Sequence, residues 1–303
     1  MRIYDLIIIG AGPAGITAGV YASRRRLDFL IISPDVGGQA AWSGGIENYT
    51  GYQFITGPEL AVKFQEHIRS YEAVLKEGEE AVSLLKDKGA FLVKTDKDNY
   101  YARSVVIASG KRPKELGVPG EKEFKNRGLT YCAICDGPLF RDKDVVVVGG
   151  GNSALDAVLQ MSGVARKIYV VNSAPSLAGD AVMRQKVGEA GNVTVFNAAQ
   201  VVSVSGGKFV ERVKIRNSAG ENELQAQGVF VEIGLIPNSA FSREVEKNAA
   251  GEIMVDARNQ TNIPGIFAAG DVTDVPEKQI IVAAGEGAKA ALGAFRFLSM
   301  NQF

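Results

Sequence analysis

The sequence predicts an α/β protein with two Rossmann-like, three-layer nucleotide-binding domains, and two stretches carry that expectation. Residues 4–15, YDLIIIGAGPAG, run from a polar start through an apolar strand into Gly10-x-Gly12-x-x-Gly15, with helix-prone ITAGVYASRRR behind. Residues 144–154, DVVVVGGGNSA, repeat that order: an aspartate, an apolar strand, Gly149-x-Gly151-x-x-Ala154, then ALDAVLQMSG. A glycine turn between a buried strand and a helix lets the backbone approach a pyrophosphate, whose charge then rests at the helix N-terminus. One such turn also arises for packing alone. Two in the same strand-turn-helix context imply two nucleotide-binding folds, and a chain of 303 residues has room for both.

After the first turn, Leu27 to Ile32 reads as a strand. In the dinucleotide pattern such a strand ends on a carboxylate for a ribose hydroxyl; here it ends at Ser33, with Asp35 two residues on. Gly37-Gly38-Gln39 and the loop Glu47-Asn48-Tyr49-Thr50-Gly51 follow, polar and glycine-rich stretches suited either to a ligand or to plain connection. Residues 57–75 carry apolar side chains at helical spacing behind Pro58, with His67 among polar neighbours as a surface histidine. AVSLLKD, AFLVKT and YYARSVVIAS then read as strands split by the turn formers KDKG and DKDN. Lys111-Arg112-Pro113 marks a chain exit. Beyond the second turn, KIYVV, NVTVF, VERVKI and GVFVEIG continue as strands to another exit at Pro237-Asn238. Gly265 to Asp271 places a carboxylate just past a short buried strand, and Ile280 to Phe303 reads as a helix with Gly285-Glu286-Gly287 near its start.

A third feature is chemical. The chain has two cysteines, and both lie in Tyr131-Cys132-Ala133-Ile134-Cys135-Asp136-Gly137. A Cys-x-x-Cys pair closes a small disulfide ring, and a thiolate there is the nucleophile of thiol-disulfide exchange. Zinc would need further ligands, and the single histidine, His67, is distant in sequence. A bridge closing so short a loop stabilises weakly, which leaves redox use or an inert thiol pair. With 34 basic and 34 acidic residues the formal charge is zero, so nothing points to a nucleic-acid or anionic-membrane partner. The opening Met1-Arg2-Ile3-Tyr4-Asp5 runs straight into a strand, unlike a signal peptide, and no apolar run has membrane-spanning length. The expected location is cytoplasmic, where a lone Cys-x-x-Cys is more often catalytic than structural.

GAGPAG at 10–15, GGQ at 37–39, ENYTG at 47–51, CAICDG at 132–137, GGGNSA at 149–154, IGLIPN at 233–238 and AAGDVT at 268–273 together resemble the low-molecular-weight thioredoxin reductases. The resemblance spans nearly the whole chain. It implies a discontinuous FAD-binding domain, 1–111 with 240–303, and an inserted pyridine-nucleotide-type domain, 112–239, carrying the cysteines, in a homodimer. It implies that Gly10, Gly12, Pro13, Ala14 and Gly15 cradle the FAD pyrophosphate. Gly38, Gln39 and Asn48 would approach the flavin side, Asp271 the ribityl chain, and Gln279 and Ile280 the isoalloxazine edge. Gly149, Gly151, Asn152, Ser153 and Ala154 would form a second nucleotide site. Cys135 would face the flavin and Cys132 would attack the disulfide of a thioredoxin-like partner. A thiolate leaving the disulfide needs a proton donor, and Asp136, the titratable side chain adjacent to the pair, is the candidate acid/base; a turn carboxylate is the alternative. The resemblance also implies domain rotation, with hinges at Arg112-Pro113 and Pro237-Asn238.

One departure bears on the donor. NADPH-using members carry a His-Arg-Arg cluster after the strand that follows the second glycine turn, where this chain has Asn172-Ser173-Ala174-Pro175-Ser176-Leu177-Ala178 and no arginine before Arg184. Each charge-assisted bond to phosphate is worth about 1.5–3 kcal/mol, so losing two weakens NADPH binding roughly a hundredfold or more. No carboxylate marks NADH either, since Asn172 holds the strand end. A smaller departure is Lys278, where the family has arginine. FAD is the expected cofactor, with NADPH or NADH open and ferredoxin or a deazaflavin as other donors. An FAD-dependent dithiol oxidase, a ferredoxin or flavodoxin reductase, and a non-catalytic flavin-binding interaction protein are the competing readings. Peroxide production without reductant would mark the oxidase, and indifference to cysteine replacement the interaction protein.

Overall fold

The computed structural model describes residues 2–301 apart from Gly44 and Lys88, and leaves out the side chains of Ile134 and Cys135. The chain divides into two compact units: Met1–Arg112 with Ile236–Phe303, and Pro113–Leu235.

Unit 1 opens with β1 (Ile3–Ala11), α1 (Pro13–Arg24), β2 (Phe29–Val36), α2 (Gly57–Arg69) and β3 (Val74–Glu77). β4 (Ala81–Asp87), β5 (Ala90–Thr95) and β6 (Asn99–Ile107) follow, and β7 (Lys111–Pro113) leads out. The sheet runs β3-β2-β1-β6-β5-β4. β3, β2, β1 and β6 are parallel, while β5 and β4 return antiparallel along the first half of β6. Along β1, Leu6 and Ile8 enter one core while Ile7 and Ile9 enter another. A strand covered on both faces needs apolar residues at every position, which is why IIIG precedes the turn. Two expectations are corrected. β2 continues past Ser33 to Val36, and the helix expected over 57–75 stops at Arg69. Glu72 adopts a left-handed conformation, after which Val74 and Leu75 find ladder partners in Leu30 and Ile31; that pairing outweighs their helical spacing.

Unit 2 comprises α3 (Glu121–Phe124), β8 (Leu129–Thr130), α4 (Ala133–Asp136), β9 (Asp144–Val148), α5 (Asn152–Ser162), β10 (Lys167–Val171), α6 (Ala181–Glu189) and β11 (Val193–Phe196). β12 (Gln200–Gly206), β13 (Val210–Asn217), β14 (Gly220–Gln225) and β15 (Gly228–Val231) complete it, and β16 (Leu235–Pro237) carries the chain back. Its parallel sheet runs β11-β10-β9-β15-β8, and β12-β13-β14 form an antiparallel sheet. Val145 and Val147 of β9 pack towards α5 and α6, whereas Val146 and Val148 pack towards β12, β13 and β14. The unit is therefore three layers: helices, parallel sheet, antiparallel sheet. Back in unit 1, β17 (Ile266–Ala268) pairs parallel with the second half of β6, and α7 (Ile280–Met300) packs against the β1 side with α1. Among the described residues no helix is long and apolar enough to cross a membrane.

Candidate functional site

The first glycine turn lies at the carboxyl end of β1, flanked by β2 and β6. Gly10 has φ +109°, and a Cβ there would stand 2.2 Å from the Ala108 carbonyl oxygen, so both conformation and space demand glycine. Gly12 is the N-cap of α1, with no side-chain cap and no acid in the first turn. Pro13 has no N–H to leave unsatisfied. By contrast α2 is closed by a capping box between Thr56 and Glu59. A Cβ on Gly12 would meet nothing nearer than the Gly37 carbonyl oxygen at 3.8 Å. An uncapped helix end beside open space fits the pyrophosphate of a dinucleotide cofactor. Ala14 and Gly15 are buried below it. Gly287 of α7 makes its close approach to protein, since a Cβ there would lie 2.0 Å from the Ala14 carbonyl oxygen.

Two distant segments meet beside this cradle. Gln39 Nε2 donates to Asp271 Oδ2 at 3.5 Å, and Asn48 Nδ2 donates to Gln279 Oε1 at 3.1 Å. Gly38 begins a 3₁₀ turn with its Cα near Gly12. Ile280 begins α7. Burial raises the Asp271 carboxyl above its ordinary range, against the pull of Lys278 and Lys111. Those lysines share Glu252 at 3.1 and 2.7 Å. Burial would push Glu252 up, but hydrogen bonds from Lys111, Asn248 and Lys278 outweigh it and hold the carboxyl at about 2. Lys278 therefore takes a structural partner. Ser33 accepts from Ala11 N at 3.1 Å, so its hydroxyl stitches the turn, while Asp35 is exposed. His67 is exposed on α2.

The second turn has the same backbone in a different setting. Gly149 has φ +138°, and a Cβ would stand 2.2 Å from the Glu232 carbonyl oxygen. α5 begins uncapped at Gly151, where a Cβ would meet nothing within 4 Å. Asn152 and Ser153 are exposed and Ala154 is buried. The loop after β10 folds back on the turn: Ala178 N donates to the Gly150 carbonyl, and Asp180 N to Asn152 Oδ1 at 2.8 Å. Asn172 is buried, donating to Asn197 Oδ1 and the Ala174 carbonyl and accepting from Ala174 N. Its amide is spent on its own loop and on the loop after β11.

The cysteine stretch lies in the same unit. Glu121, buried, accepts from Leu116 N, Gly117 N and the Tyr131 hydroxyl, anchoring the residue before Cys132. Thr130 Oγ1 donates to Asp136 Oδ2 and accepts from Cys132 N at 3.2 Å. Asp136 thus faces a hydroxyl across one helical turn from Cys132. Cys132 is half-buried and disulfide-bonded; the side chain of Cys135, the other cysteine, lies outside the described residues. One group was missed from the sequence. Burial pushes Glu232, just past β15, up to about 7; the Ala133 N–H opposes this and the charge of Asp156 adds to it. The signal was a glutamate inside the otherwise apolar GVFVEIG.

Two glycine turns on two parallel sheets, with a disulfide in the second unit, offer two pyrophosphate cradles and a cysteine pair in one chain. The model of the pyridine nucleotide-disulphide oxidoreductases matches residues 4–287, and the chain belongs to that family. It is 40% identical over 303 residues to one component of the alkyl hydroperoxide reductase of Pseudomonas aeruginosa, covering 97% of this chain and 58% of that protein. It is 38% identical over 302 residues to an NADH dehydrogenase of Bacillus subtilis, covering 98% and 59%. The chain thus spans under two thirds of the length of these relatives. The crystal structure of Lactococcus lactis thioredoxin reductase superposes with a TM-score of 0.81 at 32% identity, covering 98% of this chain and all of that one.

Proposed function

We propose that this chain is a thioredoxin reductase-type enzyme that binds FAD in the first cradle, takes electrons from NADH at the second, and reduces a thioredoxin-like protein through Cys132 and Cys135. The disulfide at Cys132, within the unit that also holds the second glycine turn, carries this reading. Bound FAD supplies an electron pair to the disulfide. Gly10, Gly12 and Gly15 give the first cradle its shape, and the uncapped α1 holds a pyrophosphate. Gln39, Asp271, Asn48 and Gln279 restrict each other's rotamers in pairs and so preorganise the cofactor's polar flank. In this assignment unit 1 is the FAD domain and unit 2 the pyridine-nucleotide domain.

At the dithiol, one sulfur leaves as a thiolate, and Asp136, which accepts from the Thr130 hydroxyl beside Cys132 N, is the candidate acid/base for it. Cys132 is the nucleophile towards the partner disulfide. The donor assignment follows from the second turn, which keeps an open pyrophosphate cradle while the segment from Asn172 to Ala178 carries no cationic side chain to pair a 2′-phosphate. The NADH dehydrogenase of Bacillus subtilis supports it by its name. The test is anaerobic bleaching of the purified yellow protein by NADH, NADPH or photoreduced ferredoxin. Efficient bleaching by NADH with NADPH at least roughly a hundredfold weaker is expected from the missing arginines. Equal use of NADPH, or bleaching by ferredoxin alone, would overturn the donor assignment.

A further inference from the structure

Glu286 lies on α7 with 5% of its surface exposed, a buried acid beside the first cradle that no role assigned so far uses. Its Oε2 accepts from Gly270 N at 2.8 Å. β17 explains why that N–H needs a partner. The ladder to β6 ends where Ala269 N donates to the Ile107 carbonyl, so the next donor along the chain must be satisfied from outside the sheet. The other side of Gly270 is held as well: its carbonyl accepts from Thr273 N at 2.9 Å and from Thr273 Oγ1 at 2.8 Å. Gly270 has φ +76°, and a Cβ there would stand 3.0 Å from the Ala14 Cβ, so the residue before Asp271 is pinned beside the start of α1. The next residue on α7, Gly287, brings that helix against the Ala14 carbonyl.

Stability is a poor reason for this arrangement. Among the described residues the Glu286 carboxylate has this one hydrogen bond and no paired cation, and such a group costs more to bury than a neutral side chain of its size. What the bond does fix is the path of the chain into Asp271, the carboxylate expected at the cofactor's ribityl chain. We propose that Glu286 is a positioning residue for the cofactor: by holding Gly270 N it sets the turn that presents the Asp271 carboxylate beside Gln39. The contact works by reach rather than by charge, since an amide oxygen at the same place would accept the same N–H. The inference rests on the FAD assignment of the first cradle proposed above.

The test follows release of FAD from the purified holoprotein, read as free-flavin fluorescence after dilution. Glu286→Leu removes the acceptor at similar size and should speed release by roughly tenfold, the worth of one hydrogen bond to a buried donor. Glu286→Gln keeps the acceptor and should stay within about twofold of the unaltered protein. Glu286→Asp keeps the charge but falls one methylene short; it should speed release as Glu286→Leu does, and it takes that variant's place throughout if Glu286→Leu fails to fold. In an Asp271→Ala background, Glu286→Leu should add less than about twofold, because the contact it positions is already gone. Equal effects in the two backgrounds would overturn the proposal, since a merely structural loosening acts whether or not Asp271 is present. Unchanged release from Glu286→Leu, or release from Glu286→Gln as fast as from Glu286→Leu, would overturn it too. Release from Asp271→Ala no faster than from the unaltered protein would instead bring down the cofactor assignment on which the inference rests, a distinct result.

Discussion

The two glycine turns share a backbone and differ in what surrounds them. In unit 1, segments more than 200 residues apart join through polar side chains, Gln39 with Asp271 and Asn48 with Gln279, and Gly38 lies beside the uncapped α1. In unit 2, an uncapped α5 is met by a loop whose polar groups are tied to one another: Asn172 to Ala174 and Asn197, and Asp180 to Asn152 and the start of α6. The glycine pattern thus reports where a pyrophosphate fits, while neighbouring side chains decide how much of a ligand is recognised. The first cradle suits a resident cofactor. The second suits a donor that binds and leaves.

The strongest break of this contrast is steric. Gly12→Val fills the first cradle and is expected to yield protein without FAD, read from the ratio of flavin to protein absorbance. Gly151→Val should keep the flavin and lose bleaching by NADH. Loss of FAD from both variants would remove the functional distinction between the turns.

A smaller effect comes from restoring charge. Ser173 is exposed just past Asn172, and Ser173→Arg should strengthen NADPH use by roughly tenfold to a hundredfold, the worth of one charge-assisted contact. Stopped-flow bleaching rates at varied NADPH measure it; no gain would mean that the loop does not border the phosphate.

Smaller still is Asn172→Ala. It removes the hydrogen bonds that the buried Asn172 makes to Asn197 and Ala174 and should cost about 0.5–1.5 kcal/mol in denaturant unfolding while leaving flavin content unchanged.

The subtlest test concerns the surround of the first cradle. Glu252 is held at about 2, below an unfolded glutamate. Its contribution is fully present above the unfolded value and is lost as pH falls through the folded one. Glu252→Gln should therefore cost most at neutral pH and flatten the acid side of the stability profile, the deficit closing as pH falls from about 4.5 towards about 2. Parallel acid limbs would refute that ion cluster.

Much of this was legible because the signals are local. A strand buried on both faces must be apolar throughout, and a turn pressed against Ala108 or Glu232 must be glycine, so both strand-turn-helix units stand out in DLIIIGAGPAG and DVVVVGGGNSA. The cysteines declare themselves by spacing. Less legible were groups whose meaning depends on distant partners. Ser33 stands where the dinucleotide pattern places a ribose carboxylate, yet its hydroxyl accepts from Ala11 N. Lys278 looked like a weakened cofactor contact, but Glu252 holds it. β3 was hidden in a helical pattern because its partner, β2, lies across α2 in sequence.

If electrons leave a bound flavin through the cysteine pair, as proposed, thiol counting after anaerobic reduction records it. Protein reduced with excess NADH, freed of donor and alkylated, is expected to gain label at both Cys132 and Cys135. Its Cys132→Ser variant should bleach yet fail to reduce a thioredoxin. No gain of label alongside full flavin bleaching, or undiminished thioredoxin reduction by the variant, would contradict the account.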